Sequence, residues 1–157
     1  MANQLTKGRG KAGSMTIGGG TYFVKRIPIT VLTTGEKDTS FDLPVKAVVK
    51  RVFVDVKTAE VTGATKTVDV GLLSSETNGD ADGFLVAAVT SAIGVIPGSL
   101  LGTDTLGALL KEDTNGSSVF VPKDHIVLPS KAVSVTYTLG SAHTELVADI
   151  VIEFLSL

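Results

Sequence analysis

From residue 45 onward, apolar and polar side chains alternate with a period of two. Val45, Ala47, Val49, Arg51, Phe53 and Asp55 fall on one side of an extended chain, and Val48, Lys50, Val52, Val54 and Val56 on the other. Alternation this rich in β-branched residues predicts a strand buried on one face and partly on both, the environment inside a β-sandwich. The run Ala59-Glu60-Val61-Thr62-Gly63 interrupts the pattern. It restarts at Lys66, with Thr67, Asp69 and Gly71 alternating against Val68, Val70 and Leu72. The two runs predict either a β-hairpin or a corner at which the chain changes sheets.

The same rhythm frames the rest of the chain. Ile27, Ile29 and Val31 alternate with Pro28, Thr30 and Leu32, and Pro28 puts that segment at a strand start or a sheet edge. Residues 84–89 are open to two readings: a short helix capped by Asp82, whose carboxylate would satisfy free amides, or another strand. Residues 93–115 are punctuated by glycines and by Pro97-Gly98, and the leucines at 100, 101, 106, 109 and 110 settle into no single period. That stretch reads as a long insertion with at most a short helix over 105–111, its leucines favouring packing on the body.

Near the C-terminus the β pattern returns at Val119-Phe120-Val121 and Ile126-Val127-Leu128. Then Val133, Val135 and Tyr137 oppose Ser134, Thr136 and Thr138. In the last segment Leu146, Ala148, Ile150, Ile152 and Phe154 oppose Val147, Asp149, Val151, Glu153 and Leu155. Gly140-Ser141-Ala142-His143 between these two runs predicts a second hairpin. Short strands separated by Gly, Pro and Asp turns, with little helical signal, predict an all-β fold: an antiparallel β-sandwich or jelly-roll-like domain. Residues 27–157 form this domain. Residues 1–26 read as a flexible N-terminal arm, because the stretch up to Gly20 has too few apolar groups to offset the entropy of ordering it.

Composition narrows the function classes. At 157 residues the chain is one domain, able to bury roughly 68–70% of its unfolded surface. It has no cysteine, which removes disulfide frameworks and thiolate metal sites. Mean hydropathy is +0.36 with 19% charged residues, so apolar surface is expected to be covered by other protein. No apolar run approaches the ~20 residues of a membrane helix, and the first residues lack the apolar stretch of a signal peptide. Net charge is −2, but Lys7, Arg9, Lys11, Lys25 and Arg26 all precede the first acidic residue, Glu36. A basic N-terminal segment followed by an acidic body is a statement about partners.

Motifs with chemical content are few. Asn78, Asp80 and Asp82 before Gly83 fit the first half of a calcium loop, with oxygen ligands two residues apart. The position that should supply the bidentate glutamate is Val89, so these three are weak metal candidates, and Asn78-Gly79 and Asp82-Gly83 read better as turn dipeptides. The glycines around Arg9 and Lys11 lack the lysine position and the preceding strand of a phosphate loop. His125 and His143 sit apart, and joining His143 to Ser141 and Asp149 as a triad would need a nucleophile elbow that is absent. Asp55 and Asp69 lie within strands and read as surface or interface carboxylates. The scattered cations of the arm suit an acidic protein surface better than a nucleic acid. No catalytic residue and no cofactor are expected.

The string Thr58-Ala59-Glu60-Val61-Thr62-Gly63, the strand Thr67-Val68-Asp69-Val70-Gly71-Leu72-Leu73 and the loop Gly79-Asp80-Ala81-Asp82-Gly83-Phe84 resemble small virion proteins of tailed bacteriophages that decorate or cement the capsid. The resemblance runs from about Pro44 to the C-terminus and lies in style and order, without a diagnostic signature. It implies a non-enzymatic protein on the outer capsid surface, made in the host cytoplasm, whose partner is the major capsid protein. It also implies a homo-oligomer, a trimer before a dimer, with the cations at 7, 9, 11, 25 and 26 meeting the shell. Neither nucleic acid nor membrane is expected as a partner. Two other readings are a glycan-binding jelly-roll module and another virion component such as a tail protein. Aromatics at 5% and the absence of Trp argue against the first.

Overall fold

The computed structural model describes residues 15–17, 20–63, 66–97, 105–114, 120–127 and 131–157. Twelve strands follow in order: β1 (Met15–Ile17), β2 (Gly20–Pro28), β3 (Gly35–Leu43), β4 (Val48–Thr58), β5 (Thr67–Leu72), β6 (Asp80–Val89), β7 (Gly94–Ile96), β8 (Lys111–Asp113), β9 (Phe120–Pro122), β10 (His125–Ile126), β11 (Val133–Leu139) and β12 (Val147–Ser156). One sheet has the order β1-β2-β12-β4-β10, with β7 on β4; the other has the order β3-β11-β5-β6, and β8 and β9 form a small ribbon. All strand pairs are antiparallel. The all-β sandwich expected from the alternation is the observed architecture.

The core lies between the sheets. Ile27, Val52, Val54, Val56, Ile150, Ile152 and Phe154 from the first sheet meet Leu43, Val68, Val70, Leu72, Val135, Tyr137 and Leu139 from the second. Ile150 and Val135 are fully buried, as their strand patterns require. β4 departs from a single alternation. Val49 pairs with Phe154 and Arg51 with Glu153, so Lys50 is an extra residue opposite a continuous β12. This bulge shifts the inward phase from Ala47 and Val49 to Val52, Val54 and Val56. Phe53, assigned to the same face as Val49 by strict period two, therefore points outward with Arg51 and Asp55.

Both expected hairpins are corrected to sheet-switching corners: β4 and β5 lie in different sheets, as do β11 and β12. β12 is inserted between β2 and β4, and β11 between β3 and β5. The last two strands of the chain thus occupy interior positions in both sheets. Residues 84–89 belong to strand β6, so Asp82 caps no helix. Residues 105–110 form turns that run along β6, with Val86 N–H donating to Thr105 O at 2.9 Å and Gly107 N–H to Phe84 O at 2.9 Å. Leu106 and Leu110 are buried there, so the middle segment packs on the body without becoming helical.

Glycine makes this close packing possible. A Cβ on Gly71 would stand 2.0 Å from Asp80 O, and one on Gly107 2.1 Å from Asp82 O. The expected arm boundary at residue 26 also moves. β2 starts at Gly20 and pairs with β12 from Thr21 to Pro28, so Lys25 and Arg26 belong to the sheet. Lys7, Arg9 and Lys11 lie outside the described residues.

Candidate interaction surface

Successive residues of a strand point to opposite faces, and this separates the two cations of β2. Arg26 lies on the outer face of the first sheet, where Nη1 reaches Asp55 Oδ2 at 2.8 Å and Asp149 Oδ2 at 3.1 Å. Lys57 Nζ reaches the same Asp149 oxygen at 2.6 Å. Burial alone would raise the Asp149 pKa, but the hydrogen bonds from Lys57 and Arg26 bring it below the ordinary value. The charge of Arg26 is thus engaged within the molecule.

The rest of this face mixes apolar and charged groups. Tyr22 Oη donates to Glu153 Oε2 at 2.6 Å. Burial first, and the Glu153 carboxylate second, push the Tyr22 phenol up to about 12. The Arg51 guanidinium lies 4.5 Å from the centre of the Phe53 ring. Val151, flanked in register by Arg26 and Phe53, is 1% exposed although it points away from the core. Long polar side chains lying over apolar surface account for that burial.

Lys25 faces the other way, toward the mouth of the sandwich where β2 and β3 diverge. An open groove of about 430 Å³ lies there, lined by Phe23, Lys25, Phe41, Pro44 and Phe154 among others. Phe23 and Phe154 stack with ring centres 5.3 Å apart, and Phe41 stands 6.1 Å from Phe154. Lys25 Nζ sits 5.1 Å from the Phe41 ring centre. Among the described residues, no carboxylate lies within ion-pair distance of Lys25. Asp42, at the rim, is already bonded to Ser134 Oγ at 2.6 Å. The result is an exposed aromatic groove bearing one uncompensated cation.

The metal candidates are only partly brought together. Asp80 and Asp82 hydrogen-bond each other, and burial first and the Asp82 carboxylate second raise the Asp80 pKa. Asn78 has a φ of 63° and lines a small cavity with Leu72, His125 and Val127. Among the described residues, no group of three or more His, Cys, Asp or Glu side chains is placed to hold a metal. His143 bonds Thr90 Oγ1 at 2.9 Å through Nε2 and the Ser141 carbonyl at 2.8 Å through Nδ1. Its partners are therefore neither Asp149 nor the Ser141 hydroxyl.

The most deeply buried carboxylate, Glu60, carries no sequence signal of its role. It accepts N–H bonds from Thr144 at 2.6 Å and Glu145 at 2.9 Å, together with the Thr62 hydroxyl. The Glu145 amide first, then Thr62 and Thr144, hold its pKa far below the ordinary carboxylate range. Glu60 thereby ties the β4–β5 corner to the β11–β12 corner.

The two-sheet arrangement recurs in solved phage capsids. A chain of the acidic stable capsid structure of Helicobacter pylori bacteriophage KHP30 superposes with a TM-score of 0.53 at 14% identity, covering 86% of this chain and 87% of the other. A chain of the cyanophage Pam1 capsid asymmetric unit superposes with a TM-score of 0.51 at 15% identity, covering 99% of each. The fold is one found in phage capsids. At this identity the likeness is one of fold alone. No family model and no curated protein matches the sequence.

Proposed function

We propose that this chain is a virion structural protein of a tailed phage, a cement protein that binds the outer surface of the head and reinforces contacts between major capsid subunits. The observation that carries the reading is end-to-end similarity of fold to a chain of a phage capsid asymmetric unit, over 99% of both chains. The surface supports it. Exposed apolar residues, including Val24, Val95, Ile93 and Val147, and the aromatic groove beside Lys25 are groups that a partner protein would cover.

The mechanism is linkage. A protein that binds the assembled shell, but not its free subunits, stabilises the shell in proportion to the logarithm of its concentration over Kd. A symmetric homo-oligomer, a trimer in this proposal, would bridge several subunits at once and gain avidity without new kinds of contact. The cations at 7, 9 and 11, with Lys25, supply charge for an acidic shell surface. The test is the solution mass of the purified protein together with co-sedimentation on assembled shells. A discrete oligomer that pellets with shells, and raises the temperature at which they open, supports the proposal. A protein that stays in the supernatant at low salt overturns it.

A further inference from the structure

The groove has a second component in the backbone. β1 covers β2 only from Gly20 to Tyr22. Beyond Tyr22, among the described residues, no strand pairs with that side of β2, while its other side is bonded to β12 as far as Pro28. The stretch 23–28 is therefore a sheet edge with open hydrogen-bonding positions. It borders the groove lined by Phe23, Phe41 and Phe154, with the cation of Lys25 at the rim.

We propose that the 23–28 edge of β2 receives an extended strand from the shell subunit. That strand carries an apolar side chain and, two residues away, a carboxylate. The proposal rests on the cement reading and names the contact that reading requires. A strand added along this edge sets alternate side chains beside Phe23 and Lys25 on the groove side. The apolar one enters between Phe23 and Phe41. The carboxylate meets Lys25, which has no acidic partner among the described residues. Positions on the opposite side of the added strand face Arg26, whose charge is already matched by Asp55 and Asp149, so no charge is demanded there. Main-chain bonds supply affinity, and the two groove-side positions supply selectivity, as in other strand-addition interfaces. Charge complementarity at Lys25 selects an acidic segment over a basic or neutral one.

The experiment uses the full chain and assembled shells lacking it. Binding is measured by co-sedimentation for the wild type and for Lys25→Glu, Lys25→Arg and Phe23→Ala, with melting temperature confirming that each variant is folded. Amide exchange of residues 23–28 is followed in free and shell-bound protein. Lys25→Glu should weaken binding by roughly tenfold, Phe23→Ala by about three- to tenfold, and Lys25→Arg should restore it. The 23–28 amides facing the open edge should become protected only on the shell. If the wild type binds while Lys25→Glu binds equally and these amides exchange unchanged, the strand contact is wrong and the cement reading stands. Amides already protected in free protein would show the edge to be covered by the chain itself, which also overturns the contact. Failure of the wild type to bind shells overturns both.

Discussion

Ile150 and Val151 are neighbours on β12, both almost fully buried, at 0% and 1% exposure, yet the fold predicts different costs for truncating them. Ile150 points between the sheets and belongs to the core; Val151 points outward, beneath the Arg26 and Phe53 side chains, and does not. Ile150→Ala deletes three carbons from a site enclosed by both sheets. At about 0.8 kcal/mol per buried carbon the transfer loss is about 2.4 kcal/mol. The cavity left in a strand held on both sides raises this to about 3–4 kcal/mol, within the usual range for such deletions. Val151→Ala deletes two carbons at a site where mobile arginine stems can follow the retreating surface, so about 1 kcal/mol is expected. Against a total stability of about 5–15 kcal/mol, the first is a large fraction and the second is not. Urea unfolding monitored by circular dichroism measures both through the midpoint at constant slope. Equal losses, or a larger loss at Val151, would refute the register of β12, because a one-residue slip exchanges the two faces.

Glu60→Gln should lower the melting temperature at neutral pH. The difference from wild type should narrow as pH falls, because a depressed carboxylate pKa gives stability that is complete above the unfolded value, about 4.3, and is lost as pH drops toward the folded value; a difference constant from pH 7 to 3 would rule out the carboxylate clasp. Gly71→Ala places a methyl 2.0 Å from Asp80 O and should cost about 1–3 kcal/mol in urea unfolding, whereas a neutral effect would mean β5 and β6 are not so closely apposed. Deleting the residues before Met15, which removes Lys7, Arg9 and Lys11, should leave the melting temperature of the body unchanged while weakening shell binding at low salt and flattening its salt dependence. Equal binding with and without them would move the whole burden to the sandwich.

The strands were legible where burial is one-sided and continuous: β5, β11 and β12 alternate in sequence as they do in space. β4 was legible as a strand but not in its phase, because the bulge at Lys50 is fixed by pairing with β12, about a hundred residues away, and leaves no local mark. The two corners looked like hairpins because Gly140 and Gly63 announce a turn without saying which sheet the chain enters next. That choice is made by β11 and β12 inserting between earlier strands, a long-range event. Asp82 and the apolar run after it satisfied helix rules that the edge of the second sheet overrode. Among the candidate site residues, charge identified Lys25 and Arg26, but only cross-strand geometry distinguishes the arginine held by Asp55 and Asp149 from the lysine left open at the groove. Glu60 was hidden because its donors, the amides of Thr144 and Glu145, are far away in the chain.

The central claim is that this protein binds the outside of an assembled phage head and strengthens it. Its most direct test is co-sedimentation of the purified chain with shells lacking it, at increasing concentration, with the opening temperature of the pelleted shells read in the same samples. The account predicts saturable binding at a fixed ratio to the major capsid subunit and an opening temperature that rises with occupancy. A chain that remains in the supernatant, or that binds without changing the opening temperature, would contradict it.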